Sequence, residues 1–172
     1  VGGLPKYPKP PFNYKAPFSP IDVIEEYTRP ARMMVNGQIV AKPALSGIET
    51  MDFENIGTLE AFNTDGLRSI LFTMKHIKNM KEKTLRYSGH AALMANYRNA
   101  GKFNDDQILK TSKELFEAWK LETNEPEVTV MKIIIKGESK SISYDLFDEY
   151  DSSLGFTSMS RTTGFTATAT IN

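Results

Sequence analysis

The run Val128-Thr129-Val130-Met131-Lys132-Ile133-Ile134-Ile135, the turn Lys136-Gly137-Glu138-Ser139 and the return Ser141-Ile142-Ser143-Tyr144-Asp145-Leu146-Phe147 decide the fold. β-branched residues fill the first run, the composition of a strand. In the return, Ile142, Tyr144 and Leu146 alternate with Ser141, Ser143 and Asp145, which predicts one dry face and one wet face. Strands joined by so short a connection must run antiparallel, because a parallel pair needs a crossover of a dozen or more residues.

The same logic extends upstream. Arg32–Val35 and Gln38–Ala41 flank Asn36-Gly37, the strongest short signal for a type I′ hairpin. Ile48–Phe53, Thr58–Phe62 and Lys83–Tyr87 read as further short strands. Helical spacing appears between them. Ser19-Pro20 opens one helix over Ile21–Tyr27. Thr64 caps another whose apolar positions are Leu67, Ile70, Leu71 and Met74. Ser88 caps a third that stops at Gly101. Asn104 and Gln107 have capping-box spacing before a helix with Ile108, Leu109, Leu115, Phe116 and Trp119 inward. Residues 1–20 hold six of the nine prolines and run extended. The sum is an α+β domain: a mostly antiparallel mixed sheet with helices on one face.

Composition narrows the function. One domain spans the 172 residues, and 40% hydrophobic with 24% charged residues is ordinary globular usage. Lys+Arg and Asp+Glu balance at 21 each, so a nucleic-acid partner held by general basic charge is not expected. The absence of Cys excludes disulfides, thiolate nucleophiles and cysteine zinc sites. His76 and His90 lack a ligand-spaced carboxylate, so no metal is expected. No apolar run can cross a membrane, and a cytoplasmic location is the default expectation. No GxGxxG or P-loop sequence occurs. The chain opens Val1-Gly2-Gly3-Leu4-Pro5 and closes inside a helix starting near Thr162, which reads as a segment of a longer chain.

Two polar clusters can carry chemistry. In Leu59-Glu60-Ala61-Phe62-Asn63-Thr64-Asp65-Gly66-Leu67-Arg68, a helix N-terminus and Arg68 can hold a carboxylate, and Asp65 can receive an ammonium. Alternatively Thr64 and Asp65 only cap, and Arg68 pairs with Asp65. In Thr84-Leu85-Arg86-Tyr87-Ser88-Gly89-His90, His90 can act as acid or base and Arg86 can hold an anion, or the two serve packing and ion pairing. Tyr14 and Lys15, in the Pro-rich arm, either reach a ligand or strap the arm to the body. The lysine-rich run Lys75–Lys83 reads as a solvated loop.

These motifs, with Gly2-Gly3-Leu4-Pro5 and Met159-Ser160-Arg161-Thr162-Thr163-Gly164, occur in the order found in one family. The chain resembles the saccharopine dehydrogenase family and is most similar to its L-lysine 6-dehydrogenase branch. The resemblance covers essentially all 172 residues. It implies the substrate-binding and dimerising domain of a two-domain enzyme whose Rossmann domain precedes residue 1. It also implies hydride transfer from the amine-bearing carbon of L-lysine to NAD or NADP, followed by imine hydrolysis to a semialdehyde and ammonia. By the same resemblance Tyr14, Lys15, Asn63, Thr64, Arg68, Arg86 and Tyr87 contact the amino-acid substrate, and His90 and Asp65 are catalytic. Gly2 and Gly3 then let the backbone approach the nicotinamide, and the protein is a homodimer. Saccharopine as substrate, or a ligand-binding or dimerisation module without chemistry, are the competing expectations.

Overall fold

A computed structural model describes residues 1–16 and 19–171. Strand β1 (Gly2–Pro5) leads into the Pro-rich arm, of which Pro17 lies outside the described residues. Helix α1 (Pro20–Thr28) follows, with Pro20 in its first turn as expected. Strands β2 (Ala31–Val35) and β3 (Gln38–Lys42) form the first hairpin, and Asn36 and Gly37 take φ of 50° and 81°, as a type I′ turn requires. Then come β4 (Glu49–Phe53), β5 (Gly57–Asn63), the single turn α2 (Ile70–Thr73) and β6 (Lys83–Tyr87). Helices α3 (His90–Asn99) and α4 (Ile108–Trp119) precede the hairpin of β7 (Glu127–Lys136) and β8 (Ser141–Glu149), and α5 (Ser158–Ile171) ends the chain.

Every strand pair is antiparallel, in the orders β1-β7-β8, β2-β3 and β4-β5-β6. The Val1 nitrogen reaches the Lys83 carbonyl, and the Leu85 N–H reaches the Val1 carbonyl, both at 2.9 Å. That bonding is the parallel pattern, so Val1 joins β6 to β1 at the one parallel seam between the two three-stranded sheets. Gly2 belongs to this seam. A Cβ on it would lie 2.8 Å from the Leu85 carbonyl oxygen, so only glycine lets the strands approach so closely.

Alternation along the strands divides the core. Phe62 joins Val23, Ile24, Tyr27, Met94, Leu115 and Trp119 beneath the helices. Leu59, Ala61, Leu85, Leu4, Val128 and Val130 fill the other face. That face closes on itself. Lys132 of β7 lies 5.7 Å from the Phe53 ring of β4, which a flat sheet would hold several strand spacings apart. The helices therefore occupy one face, and the sheet coils around the second core.

Four local expectations require correction. No helix begins at Thr64, because Glu82 takes the Thr64 hydroxyl and the Gly66 N–H, and Arg68 stands at φ 46°, outside helical space. Helix α3 is entered through Gly89 at φ 92° rather than capped by Ser88, and the Glu60 carboxylate accepts the Gly89 and Ala91 N–H groups. On α4, Leu109 and Phe116 are exposed, whereas Thr111, Ser112, Leu115 and Trp119 are buried. The expected dry face of β8 is also wetter than its alternation suggests: Tyr144 is 57% exposed.

Candidate functional site

The polar rim is built where β5, the loop after it, β6 and α1 meet. Thr64 leaves β5 and donates its hydroxyl to Glu82 Oε2 at 2.5 Å; its oxygen also lies 2.9 Å from Thr84 Oγ1. Gly66 N donates to the same Glu82 oxygen at 3.1 Å. Asp65 is clamped from the other side. Its carboxylate accepts the Arg32 backbone N–H at 3.0 Å, Nε at 2.9 Å and Nη2 at 2.8 Å. The hydrogen bonds from Arg32 hold the Asp65 carboxyl below the usual carboxylate range. Asp65 is thus a fully engaged anion rather than a free acid or base. It is also not the partner of Arg68.

Arg68 is the exception on this rim. It is exposed, holds φ at 46°, and makes no ion pair among the described residues. The neighbouring cations are neutralised: Arg32 by Asp65, Lys83 by Glu49 at 3.1 Å, and Arg86 by Glu26 at 2.7 Å. Asn63 donates to Ser46 Oγ at 3.1 Å and so fixes the loop after β3.

Beneath the rim runs a buried chain of polar groups. The Arg86 guanidinium, 3% exposed, lies 4.3 Å over the Tyr14 ring, and its Nε has no partner. Burial raises the Glu26 carboxyl, opposed by Arg86. Burial also pushes the Tyr14 hydroxyl up to about 12. His90 lies below, 1% exposed, its Nε2 2.8 Å from the Tyr27 hydroxyl and its Nδ1 2.8 Å from the Phe12 carbonyl. A carbonyl can only accept, so Nδ1 carries the proton and Nε2 accepts from Tyr27. Burial, then the Arg86 charge, lowers the imidazole pKa to about 3. His90 is therefore a neutral, doubly bonded residue of the core.

The remaining expected residues are dispersed. Tyr87 points to the opposite face from Arg86, where its hydroxyl donates to the Pro5 carbonyl at 2.9 Å and burial raises it to about 12. Lys15 straps the arm to the body by donating to the Lys120 carbonyl at 2.8 Å. Tyr14 and Lys15 share a cavity of about 230 Å³ with Tyr7, Phe12 and Ala118. The space beside Gly2 is filled by Leu85, so strand packing by itself explains that glycine. Among the described residues no cluster of His, Asp and Glu can hold a metal, and no helix is long and apolar enough to cross a membrane.

Sequence reasoning missed Arg32, Glu26, Glu60 and Glu82, which organise this rim. Their positions in the chain gave no sign, because each acts on a partner 16 or more positions away. The matching family model, the saccharopine dehydrogenase C-terminal domain, covers residues 1–172. The chain belongs to that family. The domain is also similar in structure to apo histidine-tagged saccharopine dehydrogenase (L-Glu forming) from Saccharomyces cerevisiae, with a TM-score of 0.68 and 15% sequence identity. That match covers 95% of this chain and 55% of the yeast chain, so the domain spans about half the length of the protein it matches. Membership in the family and the antiparallel α+β fold are thereby established.

Proposed function

We propose that this domain binds the substrate of an NAD(P)-dependent amino-acid dehydrogenase, with the dinucleotide held by a separate Rossmann domain. The observation that carries the reading is Arg68. A non-glycine residue at positive φ costs energy that a fold retains where the side chain has a task. Here the strained backbone holds out the one guanidinium of the rim, among the described residues, that lacks an ion-pair partner. It suits the bidentate grip of a substrate carboxylate. Thr64, Asn63 and Asp65 shape the loop that carries it, and Arg86 with Glu26 forms the charged floor behind.

The balance of charge favours L-lysine. Lysine has a single carboxylate, matching the one guanidinium of the rim that, among the described residues, no carboxylate neutralises. Saccharopine carries three carboxylates and would need more free cations than the rim offers; the name of the yeast relative is what favours it. In this reading hydride leaves the amine-bearing carbon for the nicotinamide, and water hydrolyses the imine to a semialdehyde and ammonia. The domain's part is positioning.

We also propose that the enzyme is a homodimer. Support comes from the outer β7–β8 ladder, where Met131 pairs with Leu146, Ile133 with Tyr144 and Ile135 with Ile142 on one face. Ile133, Ile135 and Tyr144 are 43%, 53% and 57% exposed, an apolar patch suited to an interface.

The test is NAD(P)H formation by the full-length protein with L-lysine and saccharopine in parallel, for wild type and Arg68→Ala. The expected result is lysine turnover with ammonia release, and a KM raised about tenfold or more in the variant with its fold intact. Activity on saccharopine alone overturns the substrate. An unchanged KM overturns the role of Arg68.

A further inference from the structure

The loop that leaves β5 and carries Arg68 is held from two sides by residues far away in the chain. Asp65 takes three hydrogen bonds from Arg32 of β2: the backbone N–H at 3.0 Å, Nε at 2.9 Å and Nη2 at 2.8 Å. Its side chain is 3% exposed, so the guanidinium fork closes on a carboxylate withdrawn from water. Glu82 works from the other flank. There one oxygen, Oε2, receives the Thr64 hydroxyl at 2.5 Å and the Gly66 N–H at 3.1 Å. A Cβ on Gly66 would stand 2.5 Å from that same oxygen, so the loop closes on Glu82 as tightly as a glycine permits.

The two clamps share one support. Met34 and Met80 exchange both backbone hydrogen bonds, at 2.9 and 3.0 Å, in an antiparallel bridge. Arg32 precedes Met34 by two residues and Glu82 follows Met80 by two, so both lie on the same side of that bridge. Arg32 and Glu82 thus form one frame around residues 64–66. Arg68 emerges two residues beyond it, at φ 46° and without an ion-pair partner among the described residues. Its charge helps to lower the Asp65 carboxyl, so the free guanidinium stands within electrostatic reach of the frame.

A connection from a strand to a short helix needs only local turn chemistry. This one instead draws on a buried carboxylate, a guanidinium and a second carboxylate, and burying such charges adds little to stability. What fixed points on both flanks give is position. A bidentate grip tolerates little displacement of the guanidinium that makes it.

We propose that Arg32 and Glu82 are positioning residues for substrate binding, acting through residues 64–66 to set where Arg68 meets the substrate carboxylate. This role rests on the reading of Arg68 as the residue that grips that carboxylate, and neither Arg32 nor Glu82 needs to touch the substrate.

The test is a double-mutant cycle in the full-length protein with NAD(P), read as KM and kcat for L-lysine, or for saccharopine where that is the substrate turned over. Arg32→Met keeps an apolar stem and removes the fork. Its KM should rise about tenfold while kcat changes by less than about twofold. Arg32→Lys, which still offers a donor, should fall between that variant and the wild type. In the Arg68→Ala background, Arg32→Met should move KM by less than about twofold, because the residue it acts through is gone. A purely structural Arg32 would lower the thermal midpoint and leave KM alone, which overturns the proposal. An equal rise in KM with and without Arg68 overturns it too, while leaving the role of Arg68 intact. An unchanged KM in Arg68→Ala, or silence on both substrates, overturns the reading of Arg68 and this role with it. If Arg32→Met does not fold, Glu82→Gln serves in the same cycle, since it keeps the shape and loses the charge on the Thr64 and Gly66 contacts. Its KM should rise several-fold only where Arg68 is present, and an unchanged KM overturns the proposal.

Discussion

Both ring nitrogens of His90 are committed inside the core, and that fixes how acid unfolds the domain. The free imidazole takes a proton below about 6.5, whereas the folded one waits until about 3. Between those values the unfolded chain binds more protons, so stability is complete above 6.5 and is lost as pH falls toward 3, by about 1.4 kcal/mol per pH unit from this group. Urea denaturation at pH 7, 6, 5 and 4 should show that slope in the wild type and its loss in His90→Gln; equal slopes would contradict the assignment. Gly2→Ala tests a second residue-scale claim. A Cβ set 2.8 Å from the Leu85 carbonyl should cost about 1–3 kcal/mol of stability with no cofactor present, whereas a residue kept small for a nicotinamide would tolerate the methyl. At this scale the sequence announced which residues are polar and unusual. It could not announce their burial, which depends on α1, the arm and α4 closing over β6.

Elements were legible where the signal is local. The Asn36-Gly37 turn, strand β6 over Lys83–Tyr87 and the β7–β8 hairpin follow from φ requirements and alternation, and the structure has them. The helix expected from Thr64 failed because its apolar spacing competed with long-range partners: Arg32 on Asp65, and Glu82 on Thr64 and Gly66. Likewise, the apolar spacing of α4 left open which flank faces inward, so Leu109 and Phe116 were assigned to the core and lie in solvent. The start of α3 shows what replaces a local cap. Glu60, on the neighbouring strand β5 and 29 positions before Gly89, supplies the carboxylate for the Gly89 and Ala91 N–H groups. Glu60→Ala should therefore destabilise the fold by about 1–3 kcal/mol in urea titrations, with Glu60→Gln losing less because one oxygen still accepts. A Ser88→Ala change should do almost nothing, since Ser88 makes no cap.

For the whole molecule, the consequential asymmetry lies between the two ends of the β7–β8 ladder. At the inner end Val128, Val130 and Phe147 are taken into the coiled sheet's second core. Beyond it the ladder continues as a two-stranded ribbon whose Met131, Ile133, Ile135, Ile142, Tyr144 and Leu146 share one face. Such a ribbon is marginal without something packed on it. The opposite face carries the Lys132–Asp145 ion pair at 2.7 Å, so the uncharged face is the one suited to burial against a second copy across a two-fold axis. Replacing Ile133 and Tyr144 together with Lys removes that complementarity while touching side chains already exposed in one copy, so the folding midpoint should move little. Light scattering on the full-length protein should then report a dimer for the wild type and a monomer for Ile133→Lys/Tyr144→Lys at equal concentration. A dimer that survives both substitutions would move the interface to another face. A monomeric wild type would assign the ribbon to a contact within its own chain.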